Sequence, residues 1–387
     1  MPYSHIQWPE GLDEARFLAE YWQQKPLLIR QALPDFETPL PADELAGLSL
    51  EPETTPRLIT QDGTGAYHLE HGPFEADRFE TLTGNDWSLL VTDVEKHLPD
   101  ILHYLQPFGF LPGWRIDDLM ISYAPLGASV GAHIDEYDVF LLQASGARRW
   151  SIEAPAAASY ELVPDSELKL LSSFKATDTW ELEAGDLLYL PPGVPHHGVA
   201  SAEPCTTWSI GFRAPTTADF VMRMAEMICE KLPKQRYTDA PLTPATPGEI
   251  DGNALARFAD IWNQAIGSNK ETLAMMTGQF LTESANVSNT SRVDDDESLD
   301  SFADDYWQAA PFSRFAWRSL SDDNSDNATV QLFVDGEAHQ CSRRFAIELC
   351  RAGNSINSTD HQLSTDDATL LRQLAFEGSL MRQEDEE

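Results

Sequence analysis

Two stretches of the chain decide the predicted fold, GASVGAHIDEYDVFLLQASGARRW (Gly127–Trp150) and AGDLLYLPPGVPHHG (Ala184–Gly198). The first contains His133 and Asp135, two residues apart in a run that we interpret as a β-strand. Side chains at positions i and i+2 of a strand point to the same face, so both can face the interior of a barrel. The second stretch supplies a distant histidine, His196, directly after a turn. Two histidines and one carboxylate form a facial triad, which is the ligand set of non-haem Fe(II) oxygenases.

The spacing of residues within both stretches indicates which side chains are the metal ligands. Gly127 precedes His133 by six residues, and His196 ends a G-x5-P-x-G-x2-H pattern. This spacing resembles the two cupin motifs, with Asp135 where many cupins carry a second histidine. His197 is the competing candidate, but neighbours on an extended segment point to opposite sides, so only one of the pair can be a ligand. The cupin spacing selects His196.

The sequence around these two stretches has the pattern of a β protein. Short apolar runs broken by Gly, Pro and Asp continue from about residue 57 to 214. Such spacing is typical of a β-sandwich or jelly roll. Before this region, apolar periodicity predicts a helix over Leu12–Trp22, a buried strand over Pro26–Leu33 and a capped helix over Pro41–Leu50.

From Thr216 onward, the spacing of apolar residues becomes that of α-helices. Apolar residues recur at helical spacing over Asp219–Leu232 and again over residues 253–283. The proline-rich run Pro241–Gly252 is predicted to be a linker, and the polar, acidic run 284–305 a solvated connection.

The C-terminal part alternates helix and strand. Asp335-Gly336 is the dipeptide of a tight hairpin turn, and the two runs after it, 343–353 and 366–381, are predicted helices. A small helix–hairpin–helix unit such as a winged helix fits this order. The sequence therefore predicts three regions: a catalytic domain over 1–215 with its metal core at about 100–215, a helical region over 216–285, and a winged-helix-like domain over 300–387.

An oxygenase of this kind needs a two-electron reductant, and 2-oxoglutarate fills that role by chelating two metal positions. Its distal carboxylate then requires a cation. Arg148 and Arg149 are adjacent in the RRW run, and alternation along a strand turns one inward and the other outward. An inward arginine can bind a carboxylate through two parallel hydrogen bonds. Hydroxyls on neighbouring predicted strands could complete the pocket: Ser122, Tyr123 and Ser209.

Composition narrows the range of functions. The 387 residues include 26 basic and 63 acidic ones, a net charge of −37, which disfavours a nucleic-acid binder that neutralises phosphates. That charge favours basic partners or a host cell adapted to salt. The four cysteines have no metal-type spacing, the N-terminal run shows no secretory signal and no apolar run is long enough for a membrane helix, so we expect a cytoplasmic protein.

With these features assembled, the chain resembles the JmjC-class ribosomal oxygenases of bacteria. The similar segments are WRIDDLMISYAPLGASVGAHIDEYDVFLLQASGARRW, LEAGDLLYLPPGVPHHG, WSIGFRAP and the N-terminal YWQQKPLLIRQAL. The resemblance implies a double-stranded β-helix holding Fe(II) and 2-oxoglutarate, a helical dimerisation region that forms a homodimer, and a C-terminal winged helix. In it, His133, Asp135 and His196 match the metal ligands, Arg148 matches the arginine that binds the co-substrate carboxylate, and Ser122 matches a serine near it.

The resemblance also implies a reaction, in which dioxygen and 2-oxoglutarate are used to hydroxylate an arginine side chain of the large-subunit ribosomal protein uL16. A cationic target favours carboxylates at the mouth of the site, for which the candidates are Asp117, Asp118, Glu136 and Asp138, and Tyr137 could stack on a guanidinium. Two alternatives stay open, a JmjC-type demethylase of methylated lysine and a cupin scaffold that binds metal without turnover. The apolar helical stripes could also pack within the monomer instead of forming a dimer.

Overall fold

The computed structural model describes residues 3–82, 84–157, 159–164, 166–213, 215–234, 236–238, 250–266, 270–284, 302 and 305–383. Its largest part is an antiparallel sheet of nine strands, with β7 beside β6 and the order β1-β8-β6-β9-β5-β4-β2-β3 for the others. The strands are β1 (Leu27–Ile29), β2 (Thr55–Gln61), β3 (Tyr67–His71), β4 (Trp87–Thr92), β5 (Ile116–Ala124), β6 (Asp138–Ile152), β7 (Asp178–Glu183), β8 (Leu187–Leu190) and β9 (His196–Phe212).

The two longest strands, β6 and β9, form the spine of this sheet. They pair from Asp138 opposite Phe212 to Ile152 opposite His196, and the register shifts three times between Gln143 and Arg148. Each shift is a β-bulge, which bends and twists a ribbon. The apolar runs on either side of these bulges, which looked like separate short strands in the sequence, therefore belong to single long, bent strands.

The N-terminal helices close one face of the sheet. Helices α1 (Glu14–Glu20) and α2 (Ala42–Leu48) form inside the runs where the apolar spacing predicts them. Asp13 caps α1 by accepting a hydrogen bond from the backbone N–H of Arg16, and Phe17 is fully buried in the main core against Phe140 and Tyr189. The buried strand predicted over Pro26–Leu33 is shorter, because only the three residues of β1 pair with β8.

One prediction was wrong for the middle of the domain. The region assigned to β structure is interrupted by α3 (Ala76–Glu80), α4 (Val94–His97) and two 3-10 helices, Pro99–Phe108 and Gly113–Arg115. The longer 3-10 helix buries Ile101, Leu105 and Phe108 in the same core as the sheet. Short helices of this kind depend on tertiary packing more than on their own propensity, so apolar spacing alone did not reveal them.

Among the described residues, the rest of the chain forms three helices and a small α+β unit. The helices are α5 (Thr217–Lys231), α6 (Gly252–Ile266) and α7 (Lys270–Thr282), followed by the elements β10 (Trp307–Ala309), β11 (Phe315–Ser319), β12 (Thr329–Val334), β13 (Glu337–Ser342), α8 (Arg343–Leu349), β14 (Ser355–Ile356), α9 (Thr365–Phe376) and β15 (Leu380–Arg382). The hairpin at Asp335-Gly336 forms as predicted, with φ of 49° and 86°. Most of the predicted linker 241–252 and of the acidic connection 284–305 lies outside the described residues. In the part of the chain that the structure describes, no helix is both long and apolar enough to cross a membrane.

Candidate metal centre

His133, Asp135 and His196 come together at one end of the sheet. One ligand atom from each lies within 4.8 Å of the others, and Nε2 of His196 is 3.5 Å from Oδ2 of Asp135. The structure therefore assembles the three residues that the spacing predicts as metal ligands. His197 lies outside this cluster, with its ring packed against Phe174 at 6.0 Å between centroids.

The backbone around the cluster differs from the prediction in one respect. His133 and Asp135 are not on a regular strand but in the connection between β5 and β6. His133 forms a single bridge with His196, in which each backbone N–H donates to the other residue's carbonyl at 3.0 Å. Gly193 donates its N–H to the carbonyl of Asp135 at 2.8 Å. The prediction of a strand was wrong because this segment meets β9 and the turn before it only through isolated bridges and does not pair with a neighbouring strand along its length.

Both histidine rings are oriented by backbone carbonyls. Nδ1 of His133 lies 3.0 Å from the carbonyl of Gly131, and Nδ1 of His196 lies 3.0 Å from that of Val194. A carbonyl only accepts, so each Nδ1 carries the proton and each Nε2 keeps a free lone pair for a metal. Burial, followed by the neighbouring His133, lowers the pKa of His196 below its usual range. The neutral imidazole is the form that binds a metal.

A cavity of about 800 Å³ opens onto the cluster, and Arg148 lies in its wall. Arg148 is only 3% exposed, whereas Arg149 points to solvent. The Arg148 guanidinium lies 5.6 Å from the ring centroid of Trp150, and its Nε is 3.5 Å from Sγ of Cys205. Its Nη2 is buried without a hydrogen-bond partner among the described residues. A buried cation without a counter-ion is costly, so this pocket is suited to an anionic ligand.

The bulges in the β6–β9 ribbon decide which arginine points inward. Val139 and Leu141 of β6 line the cavity, and strict alternation from them would bring Arg149 to the same face. The register shifts between Gln143 and Arg148 change the parity, so that Arg148 and Trp150 line the cavity instead.

The predicted hydroxyl residues divide between two faces. Ser122 and Ser209 line the cavity, and Oγ of Ser122 lies 3.4 Å from the carbonyl of Thr207. Tyr123 does not, because the next residue on β5 points to the other side, where its ring packs on Trp87 at 5.6 Å. The prediction of Tyr123 as a pocket residue was therefore wrong.

Carboxylates line the outer part of the cavity. Asp117, Asp118, Glu136 and the Tyr137 ring all face it. Asp138 does not, although the sequence made it a candidate for the mouth. It is fully buried on the opposite side, paired with Arg115 at 2.9 Å and accepting from the Tyr189 hydroxyl at 2.7 Å. Its carboxylate holds the N-terminal segment to the sheet.

A β-bulge places two of these carboxylates side by side. Adjacent residues of a strand normally point to opposite faces, but the pairing of β5 with β9 skips from Ile116 to Asp118. Asp117 is the extra residue, so both carboxylates face the cleft. Burial, followed by the charges of Asp93 and Asp117, raises the pKa of Asp118 to about 7.

Several residues of the cavity carried no signal in the sequence. They come from strands, a helix and a loop far apart along the chain, and only the tertiary structure brings them to the cavity. They include Arg57, Lys96, Met120, Thr207 and the segment 167–170.

An antiparallel β fold with two histidines and one carboxylate clustered beside a buried arginine defines an oxygenase of the JmjC class. A family profile described as the JmjC domain matches residues 103–220. The ribosomal protein uL16 3-hydroxylase of Escherichia coli is 34% identical over 281 residues, 72% of each chain, and a probable ribosomal oxygenase of Haemophilus influenzae is 34% identical over 235 residues, covering 60% of this chain and 58% of that one. The structure of YcfD, a ribosomal oxygenase from Escherichia coli, in complex with cobalt and 2-oxoglutarate, superimposes with a TM-score of 0.76 at 27% identity over 98% of this chain and 99% of that one. This chain belongs to the JmjC ribosomal oxygenases, a family of 2-oxoglutarate-dependent protein hydroxylases, and it is therefore an enzyme.

Proposed function

We propose that this enzyme is an Fe(II)- and 2-oxoglutarate-dependent dioxygenase that hydroxylates an arginine side chain of ribosomal protein uL16. The observation that carries the proposal is a single cavity with three features. The His133, Asp135 and His196 cluster lies at its base, carboxylates lie at its mouth, and its wall holds the buried Arg148, whose Nη2 has no partner among the described residues. The curated relative named as a uL16 3-hydroxylase supports the choice of substrate.

The donor set at the base fits Fe(II), since two neutral imidazoles and one carboxylate on one face leave the remaining positions for other ligands. Bound iron with 2-oxoglutarate supplies the activation of dioxygen that an unactivated C–H bond requires. The chain's part is to hold the reactants in place. We assign His133, Asp135 and His196 as the ligands, because their atoms lie within 4.8 Å of one another.

Arg148 is assigned to the distal carboxylate of 2-oxoglutarate. Its buried Nη2 would gain a partner on binding, and a charge-assisted hydrogen bond away from water is among the stronger polar contacts. Ser122, whose hydroxyl faces the same cavity, would contribute a further hydrogen bond.

Asp118 and Tyr137 are assigned to the guanidinium of the substrate. Asp118 has no ion-pair partner among the described residues, and burial raises its pKa to about 7, so an incoming cation would stabilise its charged form. The Tyr137 ring lies in the same wall and offers a face for the guanidinium.

We further propose the three-region organisation, with a catalytic domain over 1–215, a helical dimerisation region over 216–285 and a winged-helix-like domain over 300–387. Helix α5 packs part of its apolar stripe within the monomer, where Met224 and Met227 contact Met276 and Phe280 of α7. Helix α6 buries none of its residues. Its exposed apolar residues are Leu255, Phe258, Ile261, Trp262 and Ile266.

An apolar stripe of that size supports a homodimer formed through α6. We place the enzyme in the cytoplasm, where ribosomal proteins are made, without a role in sequence-specific nucleic-acid binding.

Mass spectrometry of ribosomal proteins from cells with and without the gene tests the proposal. One arginine-containing peptide of uL16 should lose about 16 Da, the mass of one oxygen atom, when the gene is deleted. An unchanged uL16 would contradict the assignment. Release of formaldehyde from a methylated lysine peptide would instead indicate a demethylase, and a protein that never consumes 2-oxoglutarate would be a scaffold.

A further inference from the structure

The C-terminal unit reaches the rim of the active-site cleft. A second cavity, of about 350 Å³, lies between this unit and the catalytic domain. Three residues line both this cavity and the active-site cleft: Asp93, Lys96 and Asp117. These three residues form a partition between the substrate cleft and the C-terminal unit. A charged side chain of the C-terminal unit that contacts the partition therefore alters the electrostatic potential at the mouth of the cleft.

Two residues of the C-terminal unit contact this partition, the Phe312 ring beneath Lys96 and the charged Arg314. Nη2 of Arg314 donates to Oδ1 of Asp117 at 3.3 Å. Its backbone is held by the hairpin turn, since its N–H donates to Oδ1 of Asp335 at 2.9 Å and its carbonyl accepts from the Asp335 N–H at 3.1 Å. Its Nη1 is buried with no partner among the described residues. The charge of Arg314 acts on Asp117 across the partition and on Asp335 within its own hairpin.

Two carboxylates of the partition each have a cation of the protein beside them. Asp93 pairs with Lys96, and Asp117 pairs with Arg314. Asp118, which the bulge places next to Asp117, has no ion-pair partner among the residues that the structure describes. Lys96 and Arg57 act on Asp118 from a longer distance, so among the described residues it is the carboxylate of the bulge pair without a direct ion pair, and it is the inner one.

We propose that Arg314 is a specificity-determining residue, which neutralises Asp117 so that the substrate guanidinium is directed past the rim to Asp118. This inference rests on the proposed function. Without Arg314, the exposed Asp117 would capture the same guanidinium at the rim, too far out for reaction. Binding in such a second, unproductive mode lowers kcat and KM by the same factor and leaves kcat/KM unchanged.

The test compares Arg314→Gln with the wild-type enzyme on an arginine-containing uL16 peptide. We expect kcat and KM to fall together by about two- to fivefold, the strength of an exposed ion pair. Salt should reverse the effect, because an exposed charge is screened. Adding Asp117→Asn to the variant should restore wild-type kinetics, and Arg314→Lys should behave nearly as wild type. Arg318→Gln is the matched control: Arg318 is equally exposed, at 23%, and pairs with Glu271 away from the cleft.

Binding of the same peptide to metal-free protein gives a readout that does not need turnover. Calorimetry should find one peptide per protein in both cases, with a dissociation constant for Arg314→Gln that is lower by the same factor as kcat, that rises again with salt, and that Asp117→Asn restores to the wild-type value. A rise in KM with a fall in kcat/KM, or an unchanged dissociation constant of the variant, would overturn the inference. A wild-type protein that binds the peptide but does not hydroxylate it would contradict the proposed function alone, whereas one that does not bind it would overturn both.

Discussion

Replacing Arg148 by methionine should separate binding of the co-substrate from stability of the fold. The wild-type guanidinium is 3% exposed and has a buried Nη2 without a partner among the described residues. A lost buried contact to a carboxylate costs about 2–5 kcal/mol. At about 1.4 kcal/mol per factor of ten, the apparent KM for 2-oxoglutarate should rise by about 30-fold to several thousand-fold.

The same substitution should not destabilise the ligand-free protein. Methionine removes an uncompensated buried charge and keeps most of the apolar volume beside Trp150. Replacement of buried charge by apolar side chains is often neutral or stabilising by about 1–4 kcal/mol. We therefore expect the free energy of unfolding of Arg148→Met, measured by urea denaturation without co-substrate, to equal or exceed that of the wild type.

The assay follows succinate formation against 2-oxoglutarate concentration at saturating peptide. Arg149→Met is the matched control, because Arg149 points to solvent and its loss should leave KM and stability within about 0.5 kcal/mol of the wild type. A larger rise in KM for Arg149→Met than for Arg148→Met would refute the assignment. A loss of more than about 2 kcal/mol of stability in Arg148→Met would show that the contacts of the guanidinium with Cys205 and Trp150 stabilise the fold, contrary to this expectation.

Three further outcomes are expected. His133→Ala and Asp135→Ala should abolish turnover and the retention of iron, which elemental analysis measures. His197→Ala should keep both. An equal loss of iron in His197→Ala would mean that His197 is a ligand. Asp118→Asn should raise KM for the peptide by at least about tenfold. Burial raises the pKa of Asp118 to about 7, and only the charged carboxylate binds a cation. The wild-type KM for the peptide should therefore fall as pH rises from 6 to 8. A KM that does not change with pH would argue against this role of Asp118. Trp262→Glu on α6 should be monomeric by light scattering at micromolar concentration. The wild-type dimer should instead tighten with salt, because screening reduces the repulsion between acidic subunits. A wild-type protein that is monomeric at all salt concentrations would exclude this interface.

The sequence by itself determined the elements that depend on local chemistry. The hairpin at Asp335-Gly336 follows from the two residue types that tolerate positive φ, and the helix over Glu14–Glu20 lies inside the run Leu12–Trp22 where apolar spacing predicts it. The grouping of His133 and Asp135 with His196 also followed from spacing, although the segment that holds the first two is not a strand.

Only the tertiary structure decided the directions of side chains that lie beyond a bulge. Alternation holds while both strands advance by one residue at each pair, and a bulge breaks this count. The shifts before Arg148 turn it inward in place of Arg149, and the extra residue at Asp117 sets it beside Asp118. The sequence could not show either shift, because a bulge is a property of two paired strands. The contact of Arg314 with Asp117 likewise joins residues nearly two hundred positions apart, and no local pattern carries that information.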